Sequence, residues 1–352
     1  MNRTAVKIDC RHFRGDIPCK PHKKENVHCA DCWYYDKVEE EILLIKLGAR
    51  GDVIRSTPLY RRLKEEYPHS RIHWLTHFSD VLPDTIDKIY RFTIEDILRL
   101  ETVIFDIAVN LDKDPEACAL MKRVKAETKF GYTLKRSVPV PVNYLARPKW
   151  ETGLFDDVNR ANTLSYPQEI FYLMGLEFRG ERYLMPEIDK RFDLNLKPPV
   201  IGLNTGGGGR WPARIWSEER FTELTSKLIN HNYSVLLLGG PDEDARNERV
   251  AQSTGAHYPG FFPLREFFSL VNCCDLMVTG VTMALHIAIG LEKKIVLLNA
   301  IFNRYEFELY GLGEILEPKV DCLGCFKPVC EKDCINLIQP ETVFTVIEEL
   351  LS

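Results

Sequence analysis

Short apolar runs alternate with helical patterns along most of the chain, and this alternation limits its fold more than any other feature. Residues 42–47 form the first run, and the segment DVIRSTPLYRRLKEEYP after it has the spacing of an amphipathic helix. Further apolar runs follow at 70–77, 103–112, 200–203, 234–238, 276–280 and 294–300. Strands that alternate with helices predict parallel α/β sheets. Pro58 interrupts the first helical pattern and predicts a break or a late start there.

The length of the chain predicts two domains, because 352 residues are too many for one ordinary core. Residues 131–160 contain three prolines and no clear period, so we expect surface loops there, and we expect a linker near 191–199. The predicted organisation is a Cys-rich metal-binding extension over 1–40, Rossmann-like domains over 41–194 and 195–335, and a C-terminal helix over 336–352.

Composition excludes some classes of function. The net charge of −5 gives no overall bias toward nucleic acid, and the 45% hydrophobic content is typical of a globular protein. No uncharged apolar run approaches the roughly 20 residues that a membrane-spanning helix needs. The first residues, MNRTAVKIDCRHFRG, have no apolar core of a signal peptide. These features predict a cytoplasmic protein.

Asp52 lies where the first strand pattern gives way to a helix, on a loop that also holds Gly48 and Gly51. Ligands of open α/β sheets bind beyond the carboxyl ends of the strands, so a carboxylate here can reach a bound ligand and take a proton from it. The glycines let the backbone pass close to a ligand. An Asp before a helix can equally cap its free N–H groups, and the residues alone leave both interpretations open.

A glycine-rich segment, NTGGGGRWPAR, follows the first strand of the second predicted domain. Backbone N–H groups around Thr205, Gly206 and Gly207 can bind phosphate oxygens, and Arg210 and Arg214 can neutralise a diphosphate. The alternative is a mobile surface loop with exposed arginines.

Five motifs occur in a fixed order: IKLGARGDVIRSTPL, GLNTGGGGRWPARIWSEERF, LLLGGPDED, VTGVTMALHIAIGL and CLGCFKPVCEKDC. Over residues 41–350 this series resembles glycosyltransferase family 9, the ADP-heptose:lipopolysaccharide heptosyltransferases. The resemblance implies the GT-B fold, in which two Rossmann-like domains face each other across a cleft and the C-terminal helix packs back on the N-terminal domain. It also implies an acceptor domain over 41–194 and a nucleotide-sugar domain over 195–335.

The implied reaction is inverting transfer of a heptose, or a similar sugar, from an ADP-sugar to a hydroxyl of a lipopolysaccharide core or another cell-surface glycan. In the family, the Asp at position 52 is the proposed general base. The resemblance assigns Glu243 to the ribose hydroxyls, although a helix N-terminus also favours a carboxylate there. Phe262 is expected to face the adenine or to belong to the core.

The segment VTGVTMALHIAIG departs from the family pattern, which has Asp, Ser or Thr, Gly, two residues and His. Thr282 and His286 match, but Val281 and Met283 replace the Asp and the Gly. In the family this acid helps to hold the donor and its sugar. Its absence leaves open a donor sugar other than heptose and a weaker activity. Gly280 and Thr282 can still contact phosphate, and His286 is either a ligand contact or a core residue.

Eight of the eleven cysteines form two clusters, one near each end of the chain. The clusters are Cys10, Cys19, Cys29 and Cys32, and Cys322, Cys325, Cys330 and Cys334. Four thiolates can bind zinc, iron or an iron–sulfur cluster, with His22 and His28 as spare ligands. Free thiols or a redox-labile disulfide are the alternative to metal binding. The sequence also leaves open whether the two clusters form one metal site or two. We expect a structural role and no catalytic metal.

The expected partners are an ADP-sugar donor and a glycan or lipid-linked glycan acceptor, without nucleic acid. Basic residues between 3 and 24 add the expectation of peripheral contact with the inner face of the inner membrane. Three other functions stay open: a metal- or redox-dependent binding protein on a degenerate transferase scaffold, a protein-directed heptosyltransferase, and an epimerase.

Overall fold

The computed structural model describes residues 5–188, 192 and 194–352. Residues 1–4, with the basic Arg3, and residues 189–191 and 193 of the predicted linker lie outside the described residues. Contacts divide the chain into two compact units. The first unit comprises Met1–Leu47, Leu59–Ser79 and Asp84–Ala146, and the second unit comprises Gly48–Pro58, Asp80–Pro83 and Arg147–Ser352.

The first unit contains a six-stranded sheet. Its strands are β1 (Glu41–Ile45), β2 (Arg71–Leu75), β3 (Lys88–Tyr90), β4 (Ile104–Asn110), β5 (Lys125–Lys135) and β6 (Val138–Pro141). Their order in the sheet is β3-β2-β1-β4-β5-β6, the order of a Rossmann fold. All neighbouring pairs are parallel except β5 and β6, which are antiparallel.

The second unit contains a five-stranded parallel sheet. Its strands are β7 (Val200–Asn204), β8 (Ser234–Leu238), β9 (Leu276–Gly280), β10 (Lys294–Leu298) and β11 (Gly313–Leu316). Their order is β11-β10-β9-β7-β8, which is the other common doubly wound arrangement. β7 and β9 are buried along their whole length, as expected for strands covered on both faces.

Thirteen α-helices occur in the described part of the chain. They are α1 (Lys20–Glu25), α2 (Arg50–Ile54), α3 (Thr57–Glu66), α4 (Ile94–Thr102), α5 (Pro115–Arg123), α6 (Arg147–Glu151), α7 (Asp156–Ala161), α8 (Tyr166–Leu173), α9 (Glu218–Asn230), α10 (Asp244–Thr254), α11 (Leu264–Asn272), α12 (Met283–Gly290) and α13 (Pro340–Leu351). The break predicted at Pro58 is confirmed, because α2 ends at Ile54 and α3 begins at Thr57. None of the described helices is long and apolar enough to cross a membrane.

One sequence expectation differs from the structure. Surface loops were expected over 131–160, but β5 and β6 pair antiparallel there, and Pro139 and Pro141 lie on β6 at the edge of the sheet, where a missing N–H is tolerated. The buried face of α13, with Val343, Phe344 and Ile347, belongs to the core of the second unit. Packing of this helix on the N-terminal domain stays a prediction. The predicted domain boundaries otherwise remain predictions.

Candidate active site

Asp52 lies in the first turn of α2, after the loop that leaves β1. Its Oδ2 atom accepts the Ala49 N–H at 3.0 Å, so the carboxylate does serve the free N–H groups of the helix. The Asp52 side chain is nevertheless 33% exposed. A carboxylate has about four lone-pair positions, so this contact leaves capacity for a further hydrogen bond.

Arg55 binds the other Asp52 oxygen. Its Nη2 atom lies 2.8 Å from Asp52 Oδ1, and its Nη1 atom lies 2.7 Å from Glu306 Oε1. The guanidinium also lies 3.9 Å from the centre of the Tyr166 ring. Burial lowers the pKa of Arg55, but the carboxylates of Asp52 and Glu306 outweigh burial, so the pKa is raised overall. We call Asp52, Arg55 and Glu306 the carboxylate bridge.

Arg55, Glu306 and Tyr166 were not predicted as site residues from the sequence. Arg55 stands three positions after Asp52, which is the spacing of an ion pair on a helix, and this was the one available signal. Glu306 and Tyr166 lie far away in the chain, in segments without a recognisable motif.

His286, on α12, lies directly against Gly51. A Cβ atom on Gly51 would lie 2.6 Å from His286 Cδ2, so this glycine is required by packing against the imidazole. Burial and, to a smaller extent, the charge of Arg55 lower the pKa of His286 to about 3, and Asp52 opposes the shift. The imidazole is therefore neutral at physiological pH, and its buried Nδ1 atom has no hydrogen-bond partner among the described residues.

The glycine loop after β7 lies against the Glu243 turn. A Cβ on Gly206 would lie 2.7 Å from Glu243 Cδ, so a side chain there would displace the carboxylate. Glu243 is 8% exposed, and its Oε2 atom accepts the Gly240 N–H at 2.8 Å. Two motifs that are separate in sequence therefore meet at the carboxyl ends of β7 and β8.

Arg214 joins the glycine loop to the turn after β9. Its Nη1 atom donates to the Val281 carbonyl at 2.6 Å, and its Nη2 atom donates to the Gly207 carbonyl. Burial lowers the pKa of Arg214, and the charge of Arg210 lowers it further. Arg210 itself is exposed and lies 5.9 Å from the centre of the Trp211 ring.

Other predicted donor-binding residues are engaged within the protein. Thr205 is buried and donates its hydroxyl to Asn247 Oδ1 at 2.6 Å. Thr282 caps α12 by accepting the Ala284 N–H at 3.1 Å. A Cβ on Gly280 would lie 3.3 Å from the Arg214 carbonyl oxygen. The ring of Phe262 packs edge-on against Phe192 at 5.1 Å between centroids. Their roles toward a donor remain predictions.

All eleven cysteines are free thiols. The four cysteines of the N-terminal cluster line one cavity of about 190 Å³ together with His12, His22 and His28. In the C-terminal cluster, burial raises the pKa of Cys334, and a hydrogen bond with Cys322 raises it further. Thiols and imidazoles are suitable donors for zinc or iron. However, no three His, Cys, Asp or Glu side chains of residues 5–188, 192 and 194–352 converge closely enough to hold a metal ion.

Comparisons with known proteins identify relatives along most of the chain. Residues 97–312 match the sequence profile of glycosyltransferase family 9 (heptosyltransferase). The chain is 30% identical over 298 residues to lipopolysaccharide heptosyltransferase 2 of Salmonella typhimurium, a match that covers 73% of this chain and 82% of that protein.

Two solved structures resemble most of the chain. A family 9 glycosyltransferase from Veillonella parvula has a TM-score of 0.67 at 20% identity and covers 89% of this chain and 97% of its own. The iron-containing dodecameric glycosyltransferase TibC from enterotoxigenic E. coli has a TM-score of 0.56 at 14% identity, covering 89% of this chain and 76% of its own. These matches confirm the predicted α/β fold of the GT-B type.

Proposed function

The chain belongs to glycosyltransferase family 9, and from this we propose that it is an inverting heptosyltransferase. It transfers a heptose, or a similar sugar, from an ADP-sugar to a hydroxyl of a lipopolysaccharide core or another cell-surface glycan. That the chain is a heptosyltransferase-like glycosyltransferase follows from the family. The donor, the acceptor and the inversion are the proposal.

The observation that carries the proposal is the Asp52 carboxylate, which is fixed through both oxygens yet remains one-third exposed. In the reaction, Asp52 takes the proton of the acceptor hydroxyl while the acceptor oxygen attacks the anomeric carbon. The bond between that carbon and the diphosphate oxygen breaks, and ADP leaves. Attack from the face opposite the diphosphate inverts the configuration at the anomeric carbon.

For the donor, we place the diphosphate at the glycine loop and the ribose near Glu243. Gly208 and Gly209 are exposed and leave space for a ligand beside the backbone, and the exposed Arg210 can supply positive charge. Arg214 is bound to two carbonyls, so its role is to hold the loop and to add charge nearby. The Glu243 carboxylate lies beside this loop at the end of β8.

Asp52→Asn tests the catalytic role and separates it from capping. The asparagine oxygen can still accept the Ala49 N–H, so the variant loses basicity but keeps the cap. We expect kcat with ADP-heptose and truncated lipopolysaccharide cores to fall about 10²- to 10⁴-fold. The increase in melting temperature on adding ADP-heptose is expected to persist. Loss of that increase would instead make Asp52 a structural residue.

The donor is tested by comparing thermal shifts with ADP-heptose and with ADP-, UDP-, GDP- and CMP-sugars. Selective stabilisation by ADP-heptose supports the proposed donor, although Val281 replaces the family's acid. Stabilisation by none of them favours a binding protein on a degenerate scaffold. Transfer to protein hydroxyls, and not to lipopolysaccharide cores, would favour a protein-directed heptosyltransferase.

We further propose that the two cysteine clusters bind structural zinc or iron and take no part in sugar transfer. The shared cavity of the N-terminal cysteines and the Cys334–Cys322 hydrogen bond support this proposal. Peripheral membrane contact is also proposed, since Lys20, Lys23 and Lys24 on α1 are exposed. Sedimentation with anionic and with neutral lipid vesicles tests it, and equal binding to both would contradict it.

A further inference from the structure

We propose that Arg55 and Glu306 are positioning residues that set the orientation and the basic strength of the Asp52 carboxylate. This inference rests on the proposed function of Asp52 and adds two residues to it. Neither residue belongs to the group predicted to contact the donor or the acceptor. Both act through Asp52.

The geometry fixes Asp52 from two sides. The two terminal nitrogens of the Arg55 guanidinium bind Asp52 at 2.8 Å and Glu306 at 2.7 Å. The planar guanidinium thus fixes the position of both carboxylates. The Tyr166 ring lies 3.9 Å from this guanidinium. Its hydroxyl lies 3.2 Å from Ser56 Oγ, which donates to the Asp52 carbonyl at 2.6 Å. The base is thus supported through its side chain and its backbone.

A second ion pair from the same helix provides a contrast. Arg50 also lies on α2 and binds Asp80 at 3.1 Å, but these side chains are 44% and 42% exposed. The Arg55 and Glu306 side chains are only 12% and 21% exposed. Water screens the first pair and weakens it, whereas the pair of Arg55 with Glu306 is largely shielded from water. The bridge is therefore suited to holding a side chain in position.

The charges of the bridge also act on how strongly Asp52 attracts a proton. Arg55 alone would stabilise the ionised carboxylate and make Asp52 a weak base. Glu306 opposes this effect, because its negative charge neutralises the other arm of the guanidinium. The guanidinium of Arg55 is therefore shared between two carboxylates and does not act on Asp52 alone.

Other titratable groups surround the bridge. They include the ion pair of Lys149 with Glu169, the phenols of Tyr166 and Tyr183, the imidazole of His286, and the exposed pair of Arg50 with Asp80. Glu308 acts on Tyr183 and is two positions from Glu306. His286 stays neutral, and each of the two pairs joins a cation to a carboxylate. Substitution of Arg55 or Glu306 is therefore the change that alters the charge around Asp52 most directly.

The test measures the titration of Asp52 itself, by ¹³C NMR of protein labelled at its aspartate carboxyl carbons, with the Asp52 signal assigned by its loss in Asp52→Asn. Glu306→Gln keeps the shape and the hydrogen bond to Arg55 but removes a negative charge, so the midpoint is expected to fall. Arg55→Met removes the cation, so the midpoint is expected to rise by about one pH unit or more. Asp80→Asn is the matched control and should leave the midpoint unchanged.

Kinetics provide the second measurement. In Glu306→Gln, the acidic limb of the pH–kcat profile should move to lower pH, and kcat at neutral pH should fall about ten-fold, with little change in KM for ADP-heptose. Arg55→Lys keeps the positive charge but cannot bind two carboxylates through a planar guanidinium. The value of kcat should therefore fall, and the acidic limb of the pH–kcat profile should stay at the same pH.

The inference would be overturned if the Asp52 titration midpoints in Glu306→Gln and Arg55→Met both equalled the Asp80→Asn value. It would also be overturned if both midpoints moved in the same direction. Because the NMR titration needs no substrate, it decides the inference even if wild-type protein transfers no sugar. Absence of transfer to every acceptor would contradict the proposed function alone.

Discussion

His286 and Arg55 both lie near Asp52 and are largely shielded from water, and burial lowers the pKa of each, but the net outcome differs. Arg55 keeps its charge because two carboxylates bind it. In the described part of the chain no carboxylate is bonded to the imidazole of His286, whose pKa falls to about 3. A histidine in a sequence motif suggests acid–base chemistry, but this one is unsuited to carrying a proton at neutral pH. Its contact with Gly51 indicates that it shapes the loop before Asp52.

Burial of His286 predicts a specific dependence of stability on pH. Its pKa is about 6.5 in the unfolded chain and about 3 in the folded protein, so the unfolded state binds more protons between these values. Stability from this residue is full above about pH 6.5 and declines as the pH falls toward 3. Between pH 7 and pH 4 we expect a loss of about 3 kcal/mol, measured by urea unfolding.

His286→Leu should remove most of that loss, because leucine does not titrate. His231, which is exposed, provides the control, and His231→Gln should leave the slope of stability against pH as in wild type. An unchanged slope in His286→Leu would mean that other groups cause the acid destabilisation.

At the scale of elements, α2 is held in place by its close approach to α12. The approach depends on Gly51, since a Cβ there would lie 2.6 Å from a ring atom of His286. Gly51→Ala is expected to displace α2 and to destabilise the protein by about 1–3 kcal/mol, because a buried ring cannot move aside cheaply. The free energy of unfolding in urea and the rate of sugar transfer should both decrease.

For the free energy of unfolding, Gly209→Ala is the matched control, because a Cβ at that glycine would meet nothing within 4 Å. His286→Ala makes room for the added methyl group. The double variant Gly51→Ala/His286→Ala should therefore lose less stability than the sum of the two single variants. Strict additivity would show that the two helices do not meet through this contact.

Local patterns in the sequence predicted much of the element order. The strand at 42–47 corresponds to β1, and Pro58 marked the gap between α2 and α3. Prolines caused β5 and β6 to be read as loops, since local propensity does not reveal that a strand lies at a sheet edge. The order of strands in each sheet and the packing of α13 depend on contacts distant in sequence, which no local pattern encodes.

The candidate site divides in the same way. Asp52, Arg214 and Glu243 could be predicted as site residues because they stand in recognisable motifs that follow strands. The carboxylate bridge was missed because Glu306 meets Arg55 only after the chain folds. The role of Gly51 was missed for the same reason. The sequence predicts that Gly51 lies close to a ligand, whereas in the structure it packs against His286.

At the scale of the whole molecule, the contacts group the Asp52 loop with the second unit. Residues 48–58 follow β1 of the first unit in the chain. They nevertheless belong to the second unit, because they contact Tyr166, His286 and Glu306. The sequence placed Asp52 in the domain 41–194, separate from the donor residues of 195–335. In the structure, Asp52, the carboxylate bridge, the glycine loop and Glu243 all belong to one compact unit.

The two cysteine clusters near the ends of the chain give the last prediction. Protein purified without oxygen is expected to contain zinc or iron, measured by elemental analysis, and Cys29→Ser/Cys32→Ser and Cys322→Ser/Cys325→Ser should each reduce it. Separate losses indicate two sites, whereas complete loss in either variant indicates one shared site. Melting temperature should fall with metal content, because metal binding contributes folding free energy. Cys273→Ser, outside both clusters, should change neither quantity. Metal-free wild-type protein, with unchanged melting temperatures in both variants, would identify the clusters as free thiols.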